Sequence, residues 1–411
     1  MPVHPQHLSR RTLLLGLAGV TAGSVASACA DDGPEGSSVP TPTASNGTPA
    51  RAPGPTSPSR PAAIPLARCA ARNGLAFGTS AATWQLTDAD YGRLVDAQAG
   101  VVLTEDDLLW YRLRPSPKAQ LDFRYADAFF RRAEQHRQRV VGAHLVWDEG
   151  FGDGWTTDVL SGLSRRRARE LLFGALEQTV QRYRHRAAAW IVANEVTGPD
   201  GDRGLRTDVP WYHTLGSGYV AEAFHRAREQ DDAAVLILND YGFETTDADG
   251  NDPIERQQAL LQVLDSLLGH SVPVDAVGVQ AHLLAADFAD RFDAKQYRDF
   301  LSAVADRGVD ILVTELDVLD DGLSPDVAHR DRAVAEVYGR YLEAALQEDA
   351  VKAVLTFGLS DRYTWLEEDF PRPDGVHRRP LLYDSALRAK PAREVVQRSL
   401  TQATHRQPLW P

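Results

Sequence analysis

Two carboxylates that end apolar runs are the residues of this chain best suited to chemistry. Glu195 follows Asn194 at the end of AAAWIVANEV (187 to 196), and Glu315 lies within ILVTELD (311 to 317). Burial and a neighbouring negative charge both make a carboxyl hold its proton to higher pH, so in a close pair Glu195 is expected to be raised by partial burial and by the charge of Glu315. Across a gap of sugar size, one such group can protonate a leaving glycosidic oxygen while the other stabilises or attacks the anomeric carbon. One Glu at the end of a strand is usually a solvated charge or half of an ion pair. Two in polar settings of this kind point to a site.

The elements that must position them follow from the hydrophobic pattern. Short apolar or β-rich runs alternate with longer segments whose apolar residues recur at three and four positions, such as SRRRARELLFGALEQTVQRYRH, the arrangement of strand–helix units around a parallel sheet. The runs are LAFGTS, VVLTED, VVGAHLVW, AAWIVANE, AVLILNDY, VDAVGVQAH, ILVTELD and VLTFGLSD. Eight alternating units predict a (β/α)8 (TIM) barrel, in which active residues gather at the C-terminal ends of the strands. Glu195 and Glu315 then end the fourth and seventh strands, facing across the mouth. Glu105, Asp148, Asn239, Asp240, Gln280, His282, Asp317, Ser360 and Asp361 end strands on the same rim. DADGNDPIERQQ resembles a calcium loop at its first Asp residues, but Asp252 stands where the turn Gly belongs and Gln258 where the bidentate Glu belongs. It reads as a loop entering a helix.

From Phe77 to Ala392 the chain resembles glycoside hydrolase family 10, the endo-β-1,4-xylanase family. The residues that carry the resemblance are AWIVANEV against W-D-V-V-N-E, LILNDYG against N-D-Y-N, VGVQAHL against G-x-Q-x-H, ILVTELDV against T-E-L-D, and FGLSDRYTW against W-G-x-S-D-x-x-S-W. The resemblance implies a retaining β-glycosidase acting on a β-linked glycan, with Glu195 as acid/base and Glu315 as nucleophile. It also implies that His282 and Asp317 form a hydrogen-bonded chain orienting Glu315, that Asn194 donates to the sugar 2-hydroxyl, and that Trp147 and Trp365 are sugar platforms. Glu105, Tyr241, Gln280, Asp148 and Phe357 complete the implied substrate-binding set. No cofactor and no metal are expected.

The departures from the family pattern cluster on the side that holds the non-reducing-end sugars. EDDLLW stands for E-N-x-x-K-W and LVWDEG for L-V-W-H-x-Q, so Asp106, Leu109, Asp148 and Gly150 replace Asn, Lys, His and Gln. Phe357 replaces a Trp and Ile191 an Asp. Removing a buried hydrogen-bonding group from such a site can cost about 1 to 3 kcal/mol. Substrate preference should therefore change more than reaction class, with Asp106 and Asp148 adding negative charge to one wall.

With 411 residues and 43% hydrophobic composition the chain can bury a large core within a single domain. The formal net charge of -13, with no long basic run, excludes nucleic acid as an expected partner. Residues 1–30 read as a twin-arginine export signal: Arg10 and Arg11 precede an apolar run, and Ala26-Ser27-Ala28-Cys29 ends it. The small residue before Cys29 resembles a lipobox, with Cys29 as the lipidation site, although Ala26 stands where Leu is usual; ordinary cleavage after Ala28 is the competing outcome. Residues 31–67 form a Pro/Ser/Thr/Gly-rich tether, 68–400 the single catalytic domain and 401–411 a tail. The expected protein is an exported monomer, cell-surface lipoprotein or secreted, that touches a membrane only through a lipid. A transglycosylase or glycosidase on another glycan, and a non-catalytic glycan-binding lipoprotein, are the alternative readings.

Overall fold

The computed structural model describes residues 64–246, 250–286 and 288–410. The export signal, Cys29 and nearly all of the tether lie outside the described residues. So does part of DADGNDPIERQQ, but its Asp252 caps the helix Pro253–Gly269, accepting from Ile254 N at 2.8 Å. That stretch enters a helix, as its spacing suggests.

Eight parallel strands close into a barrel: β1 (Ala76–Ala81), β2 (Val101–Thr104), β3 (Arg139–Gly142), β4 (Ala187–Asn194), β5 (Val235–Asp240), β6 (Ala276–Val279), β7 (Asp310–Leu319) and β8 (Val351–Thr356). Neighbours in sequence pair in parallel, and closure comes from β8, which pairs with both β1 and β7. The strands are buried almost throughout because helices cover the outside and side chains fill the inside, which is why they read as near-continuous apolar runs. Val101, Leu103, Val141, Ile191, Ile237, Leu312 and Leu355 form the interior cluster, while the larger cluster lies between the strands and the helices. The helix Arg165–Arg182 shows how the outer layer is built. Ser164 caps it through Arg167 N, and Ala168, Leu171, Leu172, Ala175, Leu176 and Thr179 bury one face at helical spacing.

The packed chain exceeds the expected 68–400 limits at both ends. Leu66 is buried in the helix Leu66–Ala71. Beyond the helix Pro391–Gln402, Arg406 donates to the carbonyls of Leu346, Glu348 and Val351 at 2.7 to 2.8 Å. Leu409 and Trp410 pack against the interior cluster, with Trp410 Nε1 donating to Ala188 O at 3.1 Å. Residues 401–410 are therefore the floor of the barrel, and Ala188 on β4 lies at the opposite end of that strand from Glu195.

Candidate active site

Two backbone irregularities aim the fourth strand into the mouth. Between Ile191 and Ala193 the pairing of β4 with β5 shifts register, and such a bulge re-aims the side chains that follow it. Glu195 then adopts φ 55, a left-handed conformation that costs a non-glycine residue about 1 to 2 kcal/mol. Ala281, between Gln280 and His282, is strained in the same sense at φ 63. This backbone turn separates β6 from the short strand His282–Leu284, which pairs beside β7 so that His282 lies opposite Asp317.

Glu195 is 5% exposed. Its Oε1 accepts from Gln280 Nε2 at 2.8 Å and Asn194 Nδ2 at 3.2 Å, and its Oε2 from Trp147 Nε1 at 3.0 Å. Burial pushes this carboxyl up to about 7, and the charges of Asp148 and Asp240 add to the rise while the bonds from Gln280 and Trp147 oppose it. The neighbouring charges are these two Asp residues, and not chiefly Glu315 as the paired-carboxylate reading suggests.

Glu315, 4% exposed, is biased the other way. Burial would raise it, yet the bond from His282 and the charges of His144 and His282, with the Asn239 amide, hold it below the usual carboxylate range. The His282 ring lies with Nδ1 2.8 Å from Asp317 Oδ1 and Nε2 3.5 Å from Glu315 Oε2. Burial alone would lower the imidazole, but Asp317 and Glu315 push it up to about 10, so it is a cation at neutral pH. Trp365 Nε1 donates to Asp317 Oδ2 at 2.8 Å, and the rings of Trp365 and Phe357 stand edge-on to His282 at 5.2 and 5.7 Å.

Asn239 joins the two carboxyls. Its Nδ2 donates to Glu315 Oε1 at 2.8 Å and to Asn194 Oδ1 at 2.7 Å, while its Oδ1 accepts from Thr314 Oγ1 at 2.7 Å. Gly278 makes room for it: a Cβ there would fall 2.1 Å from Asn239 Oδ1. Strand parity with the inward-facing Ile237 is the signal that singles out Asn239, whereas the resemblance selects Tyr241 from the same segment. Tyr241 lies just past β5 with the Arg256 guanidinium 4.3 Å above its ring.

Several expected residues gain protein partners that the sequence does not show. Trp147 is 5% exposed, and its indole N–H donates to Glu195. The Asn194 amide, expected on a sugar hydroxyl, also donates to Glu195. The negative wall is compensated: Asp148 sits 3.2 Å from Arg206 Nη2, and Asp106 Oδ2 accepts from Tyr111 Oη at 2.6 Å, Arg112 Nη2 at 2.9 Å and Trp84 Nε1 at 3.1 Å. Glu105 is bound by Ser80 at 2.8 Å and Gln85 at 2.9 Å. Leu109 is 3% exposed and packs across Gly150, where a Cβ would meet its side chain at 3.3 Å. A cavity of about 300 Å³ remains on this side, lined among others by Trp84, Glu105, Leu109, Tyr111, Trp365 and Glu368.

Among the described residues, His185, Asp231 and Asp232 place potential metal-ligand atoms within 4.8 Å of one another. They lie at the N-terminal end of β4, away from both catalytic-type carboxyls. Asp231 is engaged by the backbone N–H groups of His185 and Ala233, at 3.2 and 3.1 Å.

A buried protonated carboxyl opposite a buried ionised one can deliver a proton to a leaving oxygen and a nucleophile to the carbon that it leaves. The sequence profile of glycosyl hydrolase family 10 matches residues 65–399. The chain is 27% identical over 331 residues to endo-1,4-beta-xylanase B of Thermotoga neapolitana, covering 80% of this chain and 89% of that protein. It is 31% identical over 294 residues to endo-1,4-beta-xylanase C of Paenibacillus barcinonensis, covering 65% of this chain but 25% of that longer protein. Among solved structures, a family 10 protein from Paenibacillus barcinonensis superposes with TM-score 0.71 at 26% identity, covering 82% of this chain and 97% of that one. Native xylanase 10B from Thermotoga maritima gives TM-score 0.71 at 25% identity, covering 82% and 98%. The chain belongs to glycosyl hydrolase family 10 and is a β-glycoside hydrolase resembling endo-1,4-beta-xylanases.

Proposed function

We propose that the protein hydrolyses a β-linked glycan with retention, Glu195 acting as acid/base and Glu315 as nucleophile. The observation that carries this reading is the opposite protonation bias of the two buried carboxyls: Glu195 raised to about 7 and Glu315 lowered beside a cationic His282. In the first step Glu315 attacks the anomeric carbon while Glu195 gives its proton to the departing glycosidic oxygen. The glycosyl ester removes the negative charge of Glu315. Glu195, now ionised, then takes a proton from the water that attacks the anomeric carbon, releasing the sugar and restoring Glu315. Asn239 and His282 hold Glu315 throughout, and Gln280 and Trp147 hold Glu195.

The rebuilt non-reducing side supports a shifted preference. Its carboxylates are bound by protein groups, and Leu109 packed on Gly150 occupies the region where the family pattern has Lys and Gln. Plain xylooligosaccharides are therefore poor substrates relative to a differently shaped or decorated β-glycoside. The test is a comparison of kcat/KM across xylooligosaccharides and other β-glycosides, with the anomeric configuration of the first product followed by NMR. Equal or better turnover of the plain xylooligosaccharides would refute the shift, and an inverted first product would refute the mechanism.

We further propose export through the twin-arginine leader and acylation at Cys29, the resulting lipoprotein acting as a monomer at the cell surface. The support is the order of Arg10-Arg11, apolar run and Ala28-Cys29. No described helix is long and apolar enough to cross a membrane. Mass spectrometry of the mature N-terminus distinguishes a diacylglyceryl-Cys29 from a free Cys29.

A further inference from the structure

Glu195 is held from outside the catalytic strands by a residue that no sequence motif singles out. Arg206 follows the hairpin segment Thr197–Asp202, and its backbone N–H donates to Val196 O at 2.9 Å. Its Nη1 donates to Glu195 O at 3.0 Å, so one residue grips both carbonyls of the Glu195–Val196 turn. The same guanidinium lies 3.5 and 3.2 Å from the two oxygens of Asp148, and its outer edge 3.1 and 2.7 Å from those of Asp208. Asp148 stands at the position where the family pattern has His, so a negative charge has been added beside the buried Glu195. The guanidinium that could balance it is in contact.

We propose that Asp148 and Arg206 form a charge-balanced clamp that holds the strained Glu195 turn and sets the pH at which Glu195 gives up its proton. The inference rests on the reading of Glu195 as the acid/base. Both members of the clamp are positioning residues.

Besides Glu315 with His282 across the mouth and Asp208 on the outer edge of Arg206, the charged groups that face Glu195 among the described residues come from three separate elements. Asp148 approaches from the segment after β3, Arg206 from the hairpin, and Asp240 from the end of β5. Asp240 is itself bound by Arg256 Nη2 at 2.6 Å and by the Thr197 hydroxyl at 2.8 Å. The buried Tyr219 phenol is raised first by burial and then by the charge of Asp148, which puts it in the same electrostatic neighbourhood. Trp147, Asn194 and Gln280 are neutral. Asp148 and Arg206 side chains are only 14% and 22% exposed, so solvent screens their charges weakly. Burial raises Asp148 above the usual carboxylate range, and the charge of Arg206 opposes that rise in part.

The sign follows from the charges. Removing the negative charge of Asp148 leaves Arg206 paired with the outer, largely exposed Asp208 alone, so the field at Glu195 becomes more positive, favours its ionised form and makes it lose its proton at lower pH. Removing the Arg206 charge as well reverses that change.

The experiment measures kcat/KM against pH for the full chain on phenyl β-xylobioside, whose poor leaving group needs the proton. Asp148→Asn should move the basic limb down by about one pH unit, and Asp148→Asn with Arg206→Gln should bring it back close to the wild-type position. Arg206→Lys keeps the charge and loses the forked grip, so the limb should stay while kcat falls about tenfold. A basic limb unmoved in folded Asp148→Asn, or one that stays low in the double variant, overturns the proposal. Glu195→Ala separates the two assignments: if the limb survives in that variant, the acid/base role of Glu195 fails and not the clamp.

Discussion

Around Glu195 and Glu315 the neighbouring side chains direct their donors onto the two carboxyls: Gln280, Asn194 and Trp147 onto one, Asn239 and His282 onto the other. Around Glu105 and Asp106, a short distance along the same rim, donors are equally abundant but are consumed within the protein. Ser80 and Gln85 bind Glu105, while Tyr111, Arg112 and Trp84 converge on one oxygen of Asp106. A group already bonded to a protein neighbour offers little to a ligand, because the new bond only replaces an old one. The contrast teaches that the donors around the two catalytic-type carboxyls and those around Glu105 and Asp106 form distinct systems, and that Asp148, through Arg206, is the rebuilt position that reaches Glu195.

The sharpest way to break this comparison is at Glu315. Replacement by Ala should lower turnover by on the order of 10⁴-fold or more on every β-glycoside, measured as kcat against an inactive-enzyme control. Loss confined to some substrates would mean that the two systems are not separate. Glu195→Ala should cost on the order of 10² to 10⁴-fold where the leaving group needs a proton and far less on an activated aryl glycoside. Added azide should rescue it, giving a β-glycosyl azide if the reaction retains configuration.

The pH profile of the wild-type enzyme probes the same pair. Activity should fall above about 7 as Glu195 loses its proton, and on the acid side only below the ordinary carboxylate range, as the lowered Glu315 takes one up. Glu195 also carries a stability consequence. Its folded pKa, about 7, lies above the ordinary 4.5, so the folded state binds the proton more tightly, and rising pH across that window destabilises the fold by on the order of 2 to 4 kcal/mol. Glu195→Gln should therefore raise Tm at pH 8 but not at pH 4, read by thermal denaturation at both.

The smallest effects should lie on the rebuilt side. Gly150→Gln alone introduces a side chain at φ 70 that meets Leu109, so it should lower stability by about 1 to 2 kcal/mol. Combining it with Leu109→Lys should recover part of that loss and raise kcat/KM on xylooligosaccharides, leaving the pH profile where it was. A moved profile would show that the two systems communicate.

Much of the fold was legible because a barrel repeats one rule eight times: apolar strand, amphipathic helix, polar residue at the rim. Glu195, Glu315, His282 and Asp317 could be read because each sits at a strand end within a recognisable motif. Partnership could not be read. Asp106 and Asp148 looked like bare charges because Arg112 and Arg206 reach them through loop geometry. The bond from Trp147 to Glu195 could not be read, because an apolar face is evident in a sequence whereas the direction of one N–H is not. Parity with Ile237 turns Asn239 inward, whereas parity alone does not place Asn194, since the register shift after Ile191 resets the count and its motif is what singles it out. The limits at 68 and 400 missed the floor, because Arg406 and Trp410 stand among polar and Pro residues and draw their burial from distant carbonyls.

That floor also orients the molecule. Asn73 donates to Leu400 O at 2.9 Å and Arg406 N donates to Asn73 O at 3.0 Å, stitching the first described turn to the last. Ala67, Ala71, His405, Pro408 and Trp410 line one small recess beneath β1 and β2. Both ends of the folded domain are thus on the face opposite Glu195 and Glu315. The described chain therefore enters and leaves the barrel on its closed face, and neither described end crosses the mouth that holds Glu195 and Glu315.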